Sequence, residues 1–560
     1  MKLRLPFQRS TLREDGVAGL VLGVQSVPDG LAGGLLAGVN PLYGLYAYMI
    51  GTITGALFTS SAFMAVQATG AMAIVVADVP AVHGGDDPAR ALFTLSILTG
   101  LVMLGAGLLK LGFVLRFVSN AVMVGFINAV GINIVLGQLD SFTGYESDGS
   151  NRVLRAIDTV LNPGQWDWPT VLIGVATIGL IIGLERTKLG PLGMVVAIVT
   201  TSGAVALFSV DGVAQLRDIA EVPRSLPLPM LPDLGLALEL LVPAAALAFV
   251  GLVQGAGISA NFPNPDGTYP EASQDFVGQG AANVAAGFFQ GMPVGGSMSA
   301  TSLVHAAGAK SRQANLIAGA VIAGVILALG GAVGYIAMPA IAGLLMLVGY
   351  RTVKPHELLA VWKTGRTQAV VLGVTFTLTM LIPLQNAVLA GVGISVILYV
   401  ISQSNAVTVL QRIYSDDGDV IETDPPRELS PHQVVVLQPY GSLFFAAAQV
   451  FEEALPEVTA ISTGSVVILR LRGRTDMGST FMDVLERYAR SLQAVGGKLV
   501  IVSGDDRLNA QLETTGVMAV VGSDNIYTSD ERVGATVRRA HDDALGWVAT
   551  EGRGEGNEPT

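Results

Sequence analysis

Long runs of apolar residues separated by short polar stretches dominate the chain from about Gly16 to Ser404. A run of roughly 20 apolar residues is long enough to cross a bilayer as an α-helix. We distinguish fourteen apolar segments, at 16–38, 41–60, 68–80, 89–110, 118–139, 169–186, 191–210, 237–262, 277–291, 298–309, 312–333, 334–350, 367–384 and 385–404. The third and tenth segments are too short to cross alone. The pattern predicts a polytopic α-helical transmembrane domain over residues 1–404.

Charged residues between these segments predict the orientation of the domain. When the segments alternate in direction, one side of the membrane receives Arg9, Arg13, Lys110, Arg116, Arg186, Lys188, Lys310, Arg312, Arg351, Lys354, Lys363 and Arg366. The opposite loops carry Asp86, Asp87, Asp140, Glu146, Asp148, Asp211, Asp218 and Glu221. By the positive-inside rule, we expect both termini to be cytoplasmic, in a bacterial inner (plasma) membrane. If the fourteen segments form two sets of seven, the second set begins on the opposite side of the membrane from the first, because seven is an odd number. The second set therefore has inverted topology.

Polar and small residues interrupt the third and tenth segments at corresponding places. The two interruptions are Met64-Ala-Val-Gln-Ala-Thr-Gly-Ala-Met72 and Met292-Pro-Val-Gly-Gly-Ser-Met-Ser-Ala-Thr301. Breaks of this kind expose backbone N–H groups that lipid cannot satisfy, so they persist around a cavity or a bound ion. The pair therefore predicts two half-helices and an intramembrane binding site.

The chain changes character after Ser404. We interpret residues 405–432 as a linker, because it includes the acidic, Pro-containing stretch 414–426. Predicted strands at 434–438, 466–471 and 498–503 alternate with predicted helices at 479–494, 505–514 and 530–547. This alternation predicts a small cytoplasmic α/β domain at 433–550, followed by a disordered tail at 551–560.

Composition agrees with a membrane protein and excludes several functions. The 560-residue chain is 51% hydrophobic and 14% charged, with a mean hydropathy of +0.57, whereas soluble proteins carry about 25% charged residues. It has no cysteine, its five histidines form no ligand pattern, and its net charge of −12 argues against nucleic acid as a partner. We expect no cofactor and no bound metal beyond a coupling Na⁺ or H⁺. The chain has no Gly-rich phosphate-binding loop, which argues against an enzyme or an ATP-driven pump. Its start shows no cleaved signal peptide.

Several motifs resemble those of the sulfate permease family. They are Val27-Pro-Asp-Gly-Leu-Ala-Gly-Gly and the residues after it to Tyr46, Leu109-Lys-Leu-Gly-Phe113 with Ser119–Phe126, and Gly278–Pro293. The resemblance spans nearly the whole chain, since that family ends in a domain similar to anti-sigma-factor antagonists (STAS domain). It implies a 7+7 inverted repeat, with a core domain from segments 1–4 and 8–11 and a gate domain from segments 5–7 and 12–14. Members transport sulfate, bicarbonate or dicarboxylates.

The two half-helix starts are the candidate anion site. Each presents free N–H groups and about half a positive charge, so a facing pair attracts a small oxyanion without a cationic side chain. On the first arm we expect Thr69, Gly70 and Ala71 to bind substrate, and on the second Ser299, Ala300 and Thr301. The alternative is that Thr and Ser only cap the helices. Animal members of the family have an Arg at the position that matches Ala300.

Two further residues concern coupling. Many microbial members have an Asp or Glu where this chain has Gln254, and a neutral amide cannot take up a proton or supply charge to Na⁺. Asp29 stands where the family commonly has Gln. Compared with the family, the acid and the amide have therefore exchanged places between the first and the eighth segments. Asp29 is a candidate coupling residue; the alternative is that it lies in a wet vestibule and caps a break after Pro28.

In the C-terminal domain, antagonist-type relatives place a phosphorylatable Ser where this chain has Met477, within Arg474–Thr480. We therefore expect this loop to cap a helix rather than act as a phosphorylation switch. The leading prediction for the whole chain is a secondary transporter of a small inorganic oxyanion, working as a homodimer in the lipid bilayer. An uncoupled exchanger or channel-like conductor, a dicarboxylate transporter and a nontransporting membrane anchor remain as alternatives.

Overall fold

The computed structural model divides the chain into two compact units, 1–395 and 396–560. It describes residues 9–112, 119–149, 151–187, 189–190, 192–208, 210, 212–219, 224–383, 386–387, 390–391, 393–394, 397–398, 400–401, 407–414, 419–441, 443, 447–471, 477–529, 532 and 534–554. Several predicted features lie outside the described residues: Phe113, Arg116, Lys188, Asp211, Glu221, 415–418, 472–476, 555–560 and much of the fourteenth apolar segment.

Helices make up the described part of the first unit, apart from two three-residue strands. The helices are α1 (Leu12–Leu36), α2 (Pro41–Phe58), α3 (Gly70–Ala77), α4 (Pro88–Leu108), α5 (Asn120–Gly137), α6 (Leu139–Thr143), α7 (Arg152–Leu161), α8 (Trp168–Glu185), α9 (Leu192–Phe208), α10 (Ala237–Asn261), α11 (Ala272–Phe288), α12 (Met298–Ala306), α13 (Gln313–Val333), α14 (Met338–Thr352), α15 (Pro355–Thr364) and α16 (Arg366–Leu381). The strands are β1 (Ala65–Gln67) and β2 (Gly295–Ser297).

Thirteen of the fourteen predicted segments correspond to helices of this unit. Within the described residues, six helical stretches are long and apolar enough to cross a membrane, and α9 and α16 are shorter apolar helices. Large apolar side chains on them remain exposed, such as Leu172, which is 64% exposed, and Leu238, which is 87% exposed. Because water does not favour such surfaces, these faces suit contact with lipid. The short helices α6, α7 and α15 were not predicted.

The helices pack as two bundles. The first bundle combines α1–α4 with α10–α13, and the second combines α5–α9 with α14–α16. This division matches the core and gate domains implied by the family resemblance. Contacts of α1 and α3 with α5, α9 and α14 join the two bundles. At the end of α3, Asp78 also forms an ion pair of 2.9 Å with Arg152 at the start of α7.

Small residues allow the helices of the first bundle to approach closely. A Cβ atom added at Gly44 would lie 2.0 Å from the Gly30 carbonyl oxygen, and one at Gly100 would lie 2.6 Å from the Gly280 carbonyl oxygen. No real Cβ atom fits at these distances, so α1 needs Gly44 of α2, and α11 needs Gly100 of α4. Glycine serves here as a packing residue, as is usual between membrane helices.

The second unit is an α/β domain around a six-stranded sheet. The strands are β3 (Thr408–Tyr414), β4 (Val420–Thr423), β5 (Val434–Tyr440), β6 (Val466–Arg470), β7 (Lys498–Ser503) and β8 (Ile526–Thr528), in the spatial order β4-β3-β5-β6-β7-β8. β5 to β8 are parallel, and β3 is antiparallel to β4 and to β5. The helices are α17 (Ala448–Glu453), α18 (Ser479–Ala494), α19 (Asp506–Thr514), α20 (Val517–Val521) and α21 (Ala535–Gly554).

Both faces of this sheet are covered, because side chains alternate along each strand. Val467 and Leu469 face a core shared with α17 to α20, whereas Val466 and Ile468 pack with Val537 of α21 on the other face. Because both faces of the sheet are buried, β5, β6 and β7 are apolar at nearly every position.

The predicted linker at 405–432 is wrong in part. It contains β3 and β4, and β3 pairs with β5 in the register Leu410↔Gln438. The stretch has the composition of a linker because β4 is a short, fully exposed edge strand, Val-Ile-Glu-Thr, between the polar stretches Ser-Asp-Asp-Gly-Asp and Asp-Pro-Pro. The predicted disordered tail at 551–560 also begins too early, since α21 continues to Gly554.

Candidate functional site

The two half-helices α3 and α12 are held together by a small strand pair. β1 precedes α3, β2 precedes α12, and the strands pair antiparallel with Val66 opposite Gly296. Three-residue strands are only about 7 Å long, so the half-helices start close together and run apart from opposite ends of the pair. Their N-terminal backbone dipoles therefore converge on one region of the first bundle.

Thr69 is the N-cap residue of α3. Its hydroxyl oxygen accepts a hydrogen bond from the Met72 backbone N–H at 3.3 Å and donates one to the Gln254 side-chain oxygen at 2.9 Å. Thr69 and Gly70 are half-buried, whereas Ala71 is buried. The structure thus brings together Thr69 and Gln254, which are 185 residues apart in the sequence.

On α12 the capping residue is Ser297, which the sequence reasoning missed. Its hydroxyl oxygen accepts from the Ala300 N–H at 3.4 Å and lies 3.3 Å from the Ser299 hydroxyl. Ser299 is exposed, but the Ala300 side chain is buried in a cluster with Phe63 and Val304. The signal for the cap was a serine three residues before Ala300, directly ahead of the apolar helix.

Thr301 is fully buried and holds the two arms together. Its hydroxyl donates to the Ser297 carbonyl oxygen at 2.6 Å and accepts from the Ala65 N–H at 3.1 Å. Both capacities of the hydroxyl are used within the protein. Thr301 therefore connects β1 to α12 rather than facing an open space beside the helix start.

Asp29 lies on α1, one helical turn after Gln25, and hydrogen-bonds to its side chain. Within the described residues, no hydrogen bond joins Asp29 to Thr69 or Gln254. Nearby, the Gln67 side chain donates to Ser26 of α1 and to Thr52 of α2, at 3.0 and 3.2 Å. These bonds fix β1 against α1 and α2, so the position of the α3 start depends on the helix that carries Asp29.

A cavity at the interface of the bundles lies beside Gln254. Residues of α5, α10 and α16 line it, namely Val122, Met123, Phe126, Ile127, Phe249, Val250, Val253, Gln254 and Thr375. All of these side chains are apolar except the amide of Gln254 and the hydroxyl of Thr375. Since Gln254 also contacts Thr69, the cavity is next to the start of α3.

The charged side chains that flank the half-helices have structural partners. Buried Asp15 accepts from the Lys310 and Ser311 N–H groups, at 2.7 and 2.9 Å, at the beginning of α13. Arg312 donates to the Ala56 carbonyl oxygen of α2 at 3.2 Å. Within the described residues, no His, Asp and Glu side chains form a group that holds a metal ion.

Met477 of the second unit is buried in the core. The family resemblance matches this residue to the phosphorylatable serine of antagonist-type proteins. The Met477 backbone N–H donates to the Gln511 side-chain oxygen at 3.1 Å, and its carbonyl oxygen accepts from the Gln511 amide. Gly478 is the N-cap of α18 and Ser479 is exposed, so the loop supplies a cap without a side-chain hydrogen bond.

Two short helices whose starts are held together by a strand pair, next to a cavity between two bundles, are an arrangement typical of membrane transport proteins. The chain belongs to the sulfate permease family, whose model matches residues 12–375, and the STAS domain model matches residues 429–533. It is a multi-pass membrane protein of an anion transporter family with a C-terminal STAS domain.

Two relatives and one solved structure illustrate the match. The chain is 26% identical to the putative sulfate transporter YvdB of Bacillus subtilis over 93% of this chain and 97% of that protein. It is 26% identical to the bicarbonate transporter BicA of Synechocystis over 92% of each. The murine Solute Carrier 26 family member A9 anion transporter in the inward-facing state has the same fold, with a TM-score of 0.84 at 19% identity over 96% of this chain and 92% of that one.

Proposed function

We propose that this protein is a secondary transporter that moves a small inorganic oxyanion of the sulfate or bicarbonate class across the plasma membrane by alternating access. One observation carries the proposal: the antiparallel pairing of β1 with β2 brings the starts of α3 and α12 together in the membrane. Two such starts supply roughly one positive charge, which suits a small anion. The names of the bacterial relatives, sulfate and bicarbonate transporters, support this substrate class.

In this proposal groups at the two starts bind the anion directly. These are the Thr69 hydroxyl, which gives up its bond to Gln254 when the anion binds, the backbone of Gly70 and Ala71, and the Ser299 hydroxyl with the first turn of α12. Ala300 contributes its backbone only, because its side chain is packed, and Thr301 positions the two arms. In this proposal the protein is a homodimer, its membrane unit is a seven-plus-seven inverted repeat, and both termini are cytoplasmic. Movement of the first bundle against the second exposes the site alternately to the two sides of the membrane.

Energy coupling involves Asp29. Import of a monoanion against 100 mV, negative inside, costs about 2.3 kcal/mol, and import of a dianion costs about 4.6 kcal/mol. Accumulation therefore requires a cation that moves with the substrate, or an exchanged anion. Gln254 cannot carry a proton, so Asp29 on α1 is the acid that would bind H⁺ or Na⁺ together with the anion.

A second candidate function is uncoupled anion exchange or channel-like conduction. The neutral Gln254 favours it, since the side chain that contacts Thr69 supplies no charge for a coupling ion. In that case Asp29 has no part in coupling, and its side chain only hydrogen-bonds to Gln25 of the same helix.

Flux measurements on the full-length protein in proteoliposomes separate these functions. Labelled sulfate, bicarbonate and succinate are offered with an inward H⁺ gradient, an inward Na⁺ gradient, a membrane potential alone, or an internal anion. We expect saturable sulfate or bicarbonate uptake that an H⁺ or Na⁺ gradient drives above equilibrium. Uptake that follows only the potential or the internal anion supports the uncoupled function, and preference for succinate overturns the inorganic substrate class.

A further inference from the structure

Thr375 of α16 has a buried hydroxyl that stands out from the other buried threonines. Its side chain lines the cavity beside Gln254 and is 1% exposed. Within the described residues, its hydroxyl has no hydrogen-bond partner. A buried hydroxyl without a partner costs on the order of 1–3 kcal/mol, so such a group persists where something else satisfies it.

The hydroxyls of comparable buried threonines in other helices of the second bundle donate to a carbonyl oxygen of their own helix. Thr177 donates to the Ile173 carbonyl oxygen at 2.7 Å, and Thr201 donates to that of Ala197 at 2.9 Å. One turn after Thr375 on the same helix, Thr379 donates to the Thr375 carbonyl oxygen at 2.7 Å. Thr375 does not use this bond, although its place in α16 offers the same geometry.

The described neighbours of Thr375 supply no side-chain partner for its hydroxyl. Gly391 approaches it closely, since a Cβ atom built there would lie 3.6 Å from the Thr375 hydroxyl oxygen. The Thr375 side chain also lines the cavity, and rotation about its Cα–Cβ bond turns the hydroxyl toward it.

Gln254 supplies the other polar group of the cavity. Its side-chain oxygen already accepts a hydrogen bond from Thr69. The side-chain NH₂ group, which can only donate, is therefore the part of Gln254 that remains for a ligand. Thr375 belongs to the second bundle and Gln254 to the first. The residues that line the cavity thus include one side chain from each bundle that carries a hydrogen-bond donor, among otherwise apolar neighbours.

We propose that Thr375 donates its hydroxyl to the transported oxyanion from the second bundle and so helps to select oxyanions over chloride. This inference rests on the proposed function and extends the site beyond the two half-helices. An oxyanion presents oxygens in several directions, so one can contact the α3 start while another contacts Thr375. A spherical chloride bound at the half-helix start lacks the second point of contact.

The test compares full-length Thr375→Val, Thr375→Ser and Thr379→Val with the wild type in proteoliposomes. Labelled sulfate and bicarbonate uptake gives KM and kcat, and unlabelled chloride is added as a competitor. The valine keeps the shape of threonine without its hydroxyl. Thr379 is the matched control, because it is 2% exposed on the same helix and its hydroxyl is bonded within that helix.

We expect Thr375→Val to raise KM for the oxyanion about tenfold, with a smaller change in kcat and in the chloride inhibition constant. Tenfold corresponds to about 1.4 kcal/mol. Thr375→Ser should remain within about twofold of the wild type, and Thr379→Val should leave KM and the selectivity against chloride unchanged. An unchanged KM in Thr375→Val, or equal changes for chloride and oxyanion, overturns the inference while the proposed function stands. A wild type that moves neither sulfate nor bicarbonate overturns both.

Discussion

Replacement of Gln254 by Glu perturbs the candidate site with little change of shape. The Gln254 side-chain oxygen lies 2.9 Å from the Thr69 hydroxyl, and a carboxylate accepts the same hydrogen bond. An anion bound to that hydroxyl or to the start of α3 would lie roughly 5 Å from the new charge, given ordinary hydrogen-bond lengths. At an effective dielectric constant of about 20, two unit charges at that distance repel by roughly 3 kcal/mol.

Such a repulsion corresponds to a loss of affinity on the order of 100-fold for a monoanion at neutral pH. At pH 7.5 we expect the KM of Gln254→Glu to rise by this order for bicarbonate and by more for sulfate, which is a dianion. The KM for sulfate should fall again as the medium is acidified and the carboxyl takes up a proton. Gln254→Leu, which is neutral and removes the bond to Thr69, should raise KM less than tenfold without a new pH dependence.

The assay is initial uptake into proteoliposomes between pH 5.5 and 8, with the amount of folded protein measured by size-exclusion chromatography. Internal and external pH are kept equal, so that a pH gradient does not drive uptake. A Gln254→Glu variant with the KM and the pH profile of the wild type would show that no anion binds near Thr69, and the reasoning would fail.

The remaining predictions concern coupling, the two arms and the domains. Asp29→Asn should lose cation-driven accumulation but keep anion exchange; equal accumulation in both proteins would remove Asp29 from coupling. Thr301→Val leaves the buried Ala65 N–H unsatisfied and should destabilise the folded protein by about 1–3 kcal/mol, seen as a lower melting temperature in detergent, whereas an unchanged melting temperature would contradict the role of this hydroxyl. A protein truncated after Ser404 should still insert, with impaired transport or assembly, and failure to insert would refute two separate domains. An isolated C-terminal domain that starts at residue 405 should unfold at a higher temperature than one that starts at 433, because the shorter form loses β3 and exposes the edge of β5; equal temperatures would show that β3 adds no stability.

The pH dependence of the C-terminal domain offers a further check on its β3–β4 hairpin. The Tyr440 hydroxyl and the Arg412 guanidinium bond to Glu422 and lower its pKa below the usual 4.5. A lowered pKa adds stability above the unfolded-state pKa, and this stability is lost as pH falls through the lower folded-state value. The difference in melting temperature between the wild type and Glu422→Gln should therefore shrink below about pH 4.5, whereas a difference that grows on acidification would contradict these contacts.

The lengths of the apolar runs made most helices of the membrane unit predictable from the sequence. A helix that crosses lipid needs a long apolar run, so thirteen predicted segments coincide with helices, and the interrupted third and tenth segments contain α3 and α12. The strands β1 and β2 were not predictable by periodicity, because each has three residues and β2 reads Gly-Gly-Ser. Their pairing joins positions far apart in the sequence, which only the fold reveals.

The finer features of the site required side-chain positions. Helix boundaries from sequence shift by a few residues, so Ser297 rather than Ser299 caps α12, and Ala300 faces the packed cluster. The sequence does not show that the Thr375 hydroxyl lacks a hydrogen-bond partner among the described residues. A threonine in an apolar helix ordinarily donates to a backbone carbonyl oxygen of its own helix. The β3–β4 hairpin was missed because its edge strand has only four residues and lies between acidic, Gly- and Pro-containing residues typical of a linker.

The central claim is that an oxyanion binds where the starts of α3 and α12 meet. The most direct measurement is uptake of labelled sulfate and bicarbonate by the wild type, by Ser299→Leu and by Ala306→Leu. Ser299 and Ala306 are both exposed on α12, at its start and at its end respectively, so a leucine at either position disturbs little packing. We expect Ser299→Leu to abolish saturable uptake and Ala306→Leu to retain it, at equal amounts of folded protein. Full uptake in Ser299→Leu would place the anion elsewhere and contradict the claim.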